Sequence, residues 1–363
     1  MIVRGLILVG EELEPVPGHV VVESGVIREV AETRQRKTEA VVMPGLINCH
    51  THIGDYAFKD QGIRLSLEDL VKSPTGLKHI LLSKATPREL VEGMAAAERE
   101  MIACGTTSFL DFREQGQQGV LLFRKAVRRI EGLAYGRPQG PENGLSLEVQ
   151  ELLNVAEGIG LDRVSAYTEE ALRTVREAAS GKKVAVHVSE AHWRSGEIEL
   201  ALDWLGADIL VHLTQAKAAE IRLMANRKRK AAVCPRSNIS LGLGVPPIDR
   251  LIDEGVEVGL GTDNCMLNSP NMFREMETAL AIMRDKRPRE VLKMATTTAA
   301  KVLGISRERG TIEKGKAADL IVLERRESMS LARDVHAAIA KRAGPENITL
   351  VIKDGRPIFD RRR

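Results

Sequence analysis

Five side chains of the kind that bind transition metals stand where apolar runs of this chain end. In GLINCHTHIGD the run from Gly45 to Asn48 leads into His50 and His52. A spacing of two on an extended chain puts both imidazoles on one side, where one ion can bridge them. In KKVAVHVSE the run Val184–Val186 ends at His187, with Glu190 three residues on. ADILVHLT ends at His212, and VEVGLGTDN ends at Asp263. Imidazole nitrogen and carboxylate oxygen suit zinc or a similar borderline divalent ion, and a catalytic site keeps one position open for water. Such an ion lowers the pKa of water from about 15.7 towards about 7, so hydroxide exists at neutral pH. Glu190 is placed to move the protons that hydrolysis relocates. One strand-end histidine is commonly structural. Four, with an aspartate, point to a metal hydrolase.

Donors on separate strands meet only if those strands run parallel and end on one face. The middle of the chain has the pattern that does this. TTSFLDF is followed by QGVLLFRKAVRRI, KVAVHVSE by SGEIELALDWLG, and DILVHLT by KAAEIRLMANRK; KAAVCP, VPPIDRLIDEG, VEVGLGTDN and the segment NMFREMETALAIM continue the alternation. Repeated β–α units predict an α/β protein with a parallel sheet. Roughly 260 residues fit a (β/α)8 TIM-type barrel better than an open sheet, and a barrel collects every strand's C-terminal end at one mouth. The two ends of the chain read differently. MIVRGLILV, GHVVVESGVIREV, EAVVMPG, GTIEKGKAADLIVLE and NITLVIKDGRPIFD are short strands cut by turns, with Lys353-Asp354-Gly355-Arg356 as a hairpin turn. The expected division is a composite β-sandwich from residues 1–46 plus 310–363 and a catalytic barrel from 47–309.

Further polar residues fall at expected strand ends. Arg113, Glu114 and Gln115 follow TTSFLDF, and Arg113 could clamp a carboxylate, phosphate or carbonyl of the substrate or else pair with a neighbour to hold its loop. Arg137 in AYGRP is a similar candidate, and His79 in PTGLKHILL a candidate for the pocket wall. Arg236, Ser237 and Asn238 follow AAVCP, either as donors at the mouth or as a strand-ending turn. His192, His19 and His336 read as surface residues. Cys49, Cys104, Cys234 and Cys265 have no CxxC pairing, and Cys49 and Cys265 read as small packing residues; a reduced, cytoplasmic setting is expected.

Bulk properties exclude other classes. The net charge of +3 gives no reason to expect nucleic acid or a membrane surface as partner. The closing Arg361, Arg362 and Arg363 read as a solvated tail. No stretch approaches the roughly 18–20 apolar residues of a membrane helix, and the apolar run at the start is shorter than a signal peptide needs. There is no G-x-G-x-x-G or G-x-x-x-x-G-K-[ST] for nucleotide phosphates. The H-x-E with P-C-x-x-C signature of cytidine-deaminase zinc sites is missing as well.

The chain resembles the amidohydrolase superfamily, in its chlorohydrolase and aminohydrolase branch, over almost its whole length. VMPGLINCHTH looks like that family's first barrel strand, HVSE its fifth and VHLT its sixth. CPRSNISLGLGVPPIDRLIDEGVEVGLGTDN looks like strands seven and eight, and ATTTAAKVLGISRERGTIEKGKAADLIVL like the return to the small β-domain. The resemblance implies that His50, His52, His187 and Asp263 hold one metal, usually zinc and sometimes iron. Glu190 would shuttle protons, and His212 would orient or polarise hydroxide or substrate. Asp263 would serve twice, as ligand and as base. It implies hydrolytic deamination of a purine-, pyrimidine- or pterin-like heterocycle, with ammonia released. Hydrolysis of a cyclic amide or chloro-heterocycle at the same metal is the alternative, and a metal-binding barrel without turnover the rival. A small-molecule substrate and, by analogy, a homodimer are expected. No bridging lysine stands in the strand-four candidate around Gly160–Tyr167, which disfavours a binuclear site. The segment from Asp55 to Arg99 is short and does not match the purine-holding region of the methylthioadenosine deaminases.

Overall fold

The computed structural model describes residues 1–33, 39–139 and 144–361, so Arg362 and Arg363 lie outside the described residues. Both termini build one mixed sheet. From the N-terminal side come β1 (Ile2–Val9), β2 (Glu14–Glu23), β3 (Val26–Glu32) and β4 (Ala40–Pro44). From the C-terminal side come β14 (Leu320–Glu324), β15 (Ile348–Lys353) and β16 (Arg356–Asp360). Their order is β16-β15-β14-β4-β1-β2-β3, with β1 and β4 the parallel pair. The sheet curls over, with Val26 of the edge strand β3 bridging Ala317, three residues before β14. Alternate residues such as Val3, Val20, Val42, Leu320 and Ile352 fill the fold of the sheet. The hairpin turn joining β15 and β16 takes positive φ at Asp354 and Gly355, as expected from its sequence.

Between these ends lies a parallel sheet. Its strands are β5 (Leu46–His52), β6 (Thr106–Arg113), β7 (Glu131–Gly136), β8 (Gly158–Leu161), β9 (Lys183–Val188), β10 (Ile209–His212) and β11 (Lys230–Val233), followed by two short pieces, β12 (Val258–Leu260) and β13 (Asp263–Asn264). Each strand pairs in parallel with its predecessor in the chain as far as β12. Then β13 pairs with β5. As β12 and β13 are consecutive pieces of one strand, that last pairing closes an eight-stranded ring, and the (β/α)8 expectation holds.

The residue types explain the layering. Strands buried on both faces read as near-continuous apolar runs. One set of alternate residues, including Ile47, Leu110, Ala185, Ile209 and Ala232, packs inside the ring on the helix Thr297–Leu303. The other set, including Phe109, Val184, Leu210 and Val233, packs outward on the helices. In β5 the inward residues Ile47 and Cys49 give way to His50 and His52, and the β5–β6 register shifts between Asn48 and Thr51. A shift of this kind re-aims side chains at the rim of a barrel. All four cysteines are buried and unpaired.

One surface assignment is corrected. His336 is 5% exposed, and its Nε2 lies 2.9 Å from the Leu13 carbonyl. The helix Val335–Arg342 packs on the barrel, so its histidine faces inward. His192 is exposed, as expected. Among the described residues no helix is long and apolar enough to cross a membrane.

Gly261 lets the eighth strand pass the first. A Cβ there would come within 2.7 Å of His50 Cβ and 2.9 Å of its backbone nitrogen. Overpacking of this kind costs about 1–3 kcal/mol. The Gly261→Ala variant is therefore expected to melt earlier and to bind zinc more weakly than the unaltered protein. Thermal melting and zinc titration check both.

Candidate active site

The chemistry-bearing residues meet at the C-terminal ends of the barrel strands. His50 and His52 end β5, His187 lies in β9, His212 ends β10, and Asp263 opens β13. The Nε2 of His52 is 3.4 Å from the Nε2 of His187. Asp263 Oδ1 is 3.3 Å from His50 Nε2 and 3.7 Å from His52 Nε2. Two overlapping sets, His50 with His52 and His187, and His50 with His212 and Asp263, each have their donor atoms within 4.8 Å of one another. Several of these positions carry backbone strain. His212 and Asp263 take φ of +73° and +61°, and Ser189 and Gln115 at neighbouring strand ends are also positive. Such conformations cost about 1–3 kcal/mol each and collect where function requires them.

The donor set fits a metal ion. His50 is fully buried; among the described residues its Nδ1 has no hydrogen-bond partner, and its Nε2 faces Asp263 Oδ1 at 3.3 Å. An orphaned buried imidazole is costly unless something binds it. His187 Nδ1 is 2.9 Å from the Leu161 carbonyl, and His52 Nδ1 is 2.9 Å from Glu114 Oε1. The His187 ring therefore donates from Nδ1; His52 Nδ1, which also has Lys78 Nζ at 3.0 Å, donates to the closer Glu114 carboxylate, and both rings keep an Nε2 lone pair for the cluster. Burial pushes His187 down to about 4 and lowers His50, His52 and His212 as well, so the imidazoles stay neutral. Burial works against the Asp263 carboxylate, but His50, His212 and His52 together hold it well below the usual range.

One short helix after β11, Pro235–Ser240, holds two of these residues from behind. Ser237 Oγ donates to Asp263 Oδ2 at 2.5 Å, which turns Oδ1 towards the histidines. Asn238 Nδ2 lies 3.2 Å from His212 Nδ1. With Nδ1 accepting, the proton of His212 sits on Nε2, which lies 3.5 Å from Glu190 Oε1. Ser237 and Asn238 are thus donors, as one of their two sequence readings has it, but to the Asp263 and His212 side chains. The backbone N–H of Arg236 donates to the fully buried Glu275.

The cluster opens into a cavity of about 940 Å³, lined among others by Glu190, His212, Asp263, His79 and Arg137. That is ample for a heterocycle with a substituent. Glu190 is largely buried, and burial together with the nearby Asp263 charge pushes its carboxyl up to about 7. His79 and Arg137 lie on the wall: His79 Nε2 is 3.0 Å from the Val71 carbonyl, and Arg137 pairs with Asp162 at 2.7 Å.

Arg113 does not line this cavity, which corrects its expected role as a substrate clamp. It is 2% exposed and pairs with Asp111 at 3.1 Å and Glu114 at 2.5 Å. The loop-holding ion pair is what the structure contains. The sequence reading missed Lys78 and Asp55. Lys78, from the helix Leu77–Lys84, is buried and pairs with Asp55 at 3.0 Å and with Glu114, the carboxylate that orients His52. The one signal for Lys78 was its place next to His79, since a lysine in a short polar-flanked helix otherwise reads as solvated.

A ring of imidazoles and a carboxylate at one mouth of a closed parallel barrel, with a proton-carrying carboxyl beside it, is the equipment of a metal-dependent hydrolase. The chain belongs to the amidohydrolase family, whose model matches residues 41–358. A Methanothermobacter thermautotrophicus protein provisionally named an aminohydrolase is 36% identical, over 97% of each chain. A 5-methylthioadenosine/S-adenosylhomocysteine deaminase from Moorella thermoacetica is 30% identical, over 89% of this chain and 82% of its own. Two solved structures share the fold. An adenosine deaminase from Xanthomonas campestris with bound zinc has a TM-score of 0.82 at 24% identity, covering 95% of this chain and 89% of its own. Atrazine chlorohydrolase from Arthrobacter aurescens, complexed with zinc, has a TM-score of 0.82 at 18% identity, covering 100% and 96%.

The buried Glu190 gives a signed pH effect in metal-free protein. Its folded pKa of about 7 exceeds the ordinary 4.5, so the native state holds an extra proton between those values. Stability falls as pH rises through that window, by about 3 kcal/mol at about 1.4 kcal/mol per unit. Glu190→Gln is expected to lose that part of the dependence, so it gains on the unaltered protein between pH 4.5 and 8. Denaturant unfolding at the two pH values reads the difference.

Proposed function

We propose that the protein is a hydrolytic deaminase of a nitrogen heterocycle, with one divalent ion, zinc or alternatively iron, on His50, His52, His187 and Asp263. The observation that carries this reading is the meeting of three Nε2 atoms and Asp263 Oδ1 beside a carboxyl poised near neutrality. When bound, the ion supplies a water whose pKa is lowered towards about 7. Glu190 takes the proton released by that water and passes it to the ring nitrogen next to the amino-bearing carbon. Protonation draws electrons from that carbon and makes it electrophilic, so the water oxygen adds there. The added hydroxyl gives up its remaining proton as the C=O forms, Glu190 carries that proton to the departing amino group, the C–N bond breaks, and ammonia leaves. His212 presents its Nε2–H to the incoming oxygen, and Asp263 helps draw off the proton.

Two alternatives stay open to test. The shared fold with atrazine chlorohydrolase favours, as second reading, displacement of chloride from a heterocycle, without ammonia. A barrel without turnover is disfavoured, because Glu190 and His212 are both in place at 3.5 Å. The buried, unpaired thiols suit a reducing cytoplasm.

An ammonia-coupled screen of the zinc-loaded protein over purines, pterins, pyrimidines and triazines is expected to find a substrate. Chloride release without ammonia would favour the second reading. Glu190→Gln should keep the metal and lose about 10²–10⁴ in kcat, the usual contribution of a positioned acid or base. An unchanged kcat would refute the proton shuttle.

A further inference from the structure

Charged side chains around the cavity mostly have protein partners. Lys78 is held by Asp55 and Glu114, and Arg137 by Asp162. Arg163 is different. It follows β8 (Gly158–Leu161) by two residues, is half-buried, and lines the same cavity. Among the described residues its guanidinium has no ion pair or hydrogen bond. It lies close enough to Glu190 for its charge to favour that residue's ionised form. On the neighbouring strand end, Arg137 spends one amino group on Asp162, while its Nε–H is buried without a partner among the described residues. Asp162 therefore offsets the charge of Arg137, whereas Arg163, with the Glu190 and Glu197 carboxyls only within range of its field, has no bonded counter-charge among the described residues.

A cation drawn partly out of water without a counter-charge costs free energy that something entering the cavity can return. The planar fork of arginine matches a carboxylate or phosphate in two parallel hydrogen bonds. We propose that Arg163 is an anion subsite, which with the Arg137 Nε–H receives a carboxylate or phosphate borne by the heterocyclic substrate. The substrate class is then an oxyanion-bearing heterocycle rather than a neutral base or nucleoside. This rests on the deaminase reading of the cavity for its activity test, but not for its binding test. Among the described residues no hydrogen bond or ion pair ties the Arg163 guanidinium to the histidine cluster or its supports, so its replacement leaves their contacts in place.

The test uses the zinc-loaded full chain and probe pairs that differ only in the anion. These are adenosine against adenosine 5′-monophosphate and adenosine-5′-carboxylate, and pterin against pterin-6-carboxylate. Ammonia release gives kcat/KM for each. The anionic member of a pair is expected to lead by at least about tenfold, the low end for charge-assisted hydrogen bonds. Arg163→Gln should collapse that ratio at least about tenfold, mainly through KM, and Arg163→Lys should collapse it less. Whether the phosphate or the carboxylate probe leads decides the source of the oxyanion. Equal kcat/KM within pairs, or a ratio unmoved by Arg163→Gln, overturns the proposal. If no probe releases ammonia, the deaminase reading fails for these rings, and calorimetry with inorganic phosphate and with malonate decides the subsite. Binding weakened at least about tenfold by Arg163→Gln supports it, while no binding or binding equal in both proteins overturns it.

Discussion

Two residue pairs, Asp263 with Thr51 and Asn264 with His52, close the barrel, and everything at the mouth depends on that closure. The eighth strand does not run through unbroken. Its ladder stops after Leu260 and resumes at Asp263. Across the gap, Asn48 takes over the pairing: its Nδ2 donates to Thr262 Oγ1 at 2.7 Å, and its Oδ1 accepts from the Thr262 N–H at 3.1 Å. A side-chain amide thus replaces a missing stretch of backbone ladder. The gap is useful, because it frees Asp263 to take positive φ and bring its carboxylate against His50 instead of following the strand's alternation. Without closure the first and eighth strands would not share a mouth, and His50 and His52 would be parted from Asp263.

The second structural theme is a buried ionic relay behind His52. Asp55, Lys78, Glu114, Arg113 and Asp111 are all nearly excluded from water. Isolated burial of any of them would cost several kcal/mol, and only pairing and added hydrogen bonds offset this. Here each has at least one opposite charge, and Asp111 also accepts from Thr51 Oγ1 and the Ile53 N–H. The result is rigidity rather than large net stability. Glu114 is fixed by two cations, which hold it ionised against burial, and it fixes the tautomer of His52. The relay and the helix after β11 play equivalent parts, one setting His52 and the other setting His212 and Asp263.

The sequence made the donors legible because catalysis at a barrel mouth leaves a local signature, a polar residue at the end of an apolar run. His50, His52, His187, His212 and Asp263 all have it. The barrel and the terminal sheet were legible from the change between β–α alternation and strand–turn repeats. What the sequence hid were properties of partners distant in the chain. Arg113 reads as a mouth residue by position, but its orientation is set by Asp111 two residues back on the same strand and by Gly54, where a Cβ would fall 2.2 Å from its guanidinium. Lys78 and Asp55 lie outside any strand-end pattern, in a segment with weak periodicity. His336 carries no local sign that its helix packs on the barrel. Arg163 was passed over because it stands two positions past the strand end, although the cavity reaches it.

On the proposed reading one ion sits on three imidazoles and one carboxylate. X-ray absorption of the zinc-reconstituted protein, with metal counted per chain, tests it most directly. One zinc per chain is expected, in a shell of nitrogen and oxygen at about 2.0–2.2 Å, with multiple-scattering features of three imidazoles. A sulfur scatterer at about 2.3 Å, a metal–metal vector at about 3.5–4 Å, or fewer than three imidazoles would contradict it.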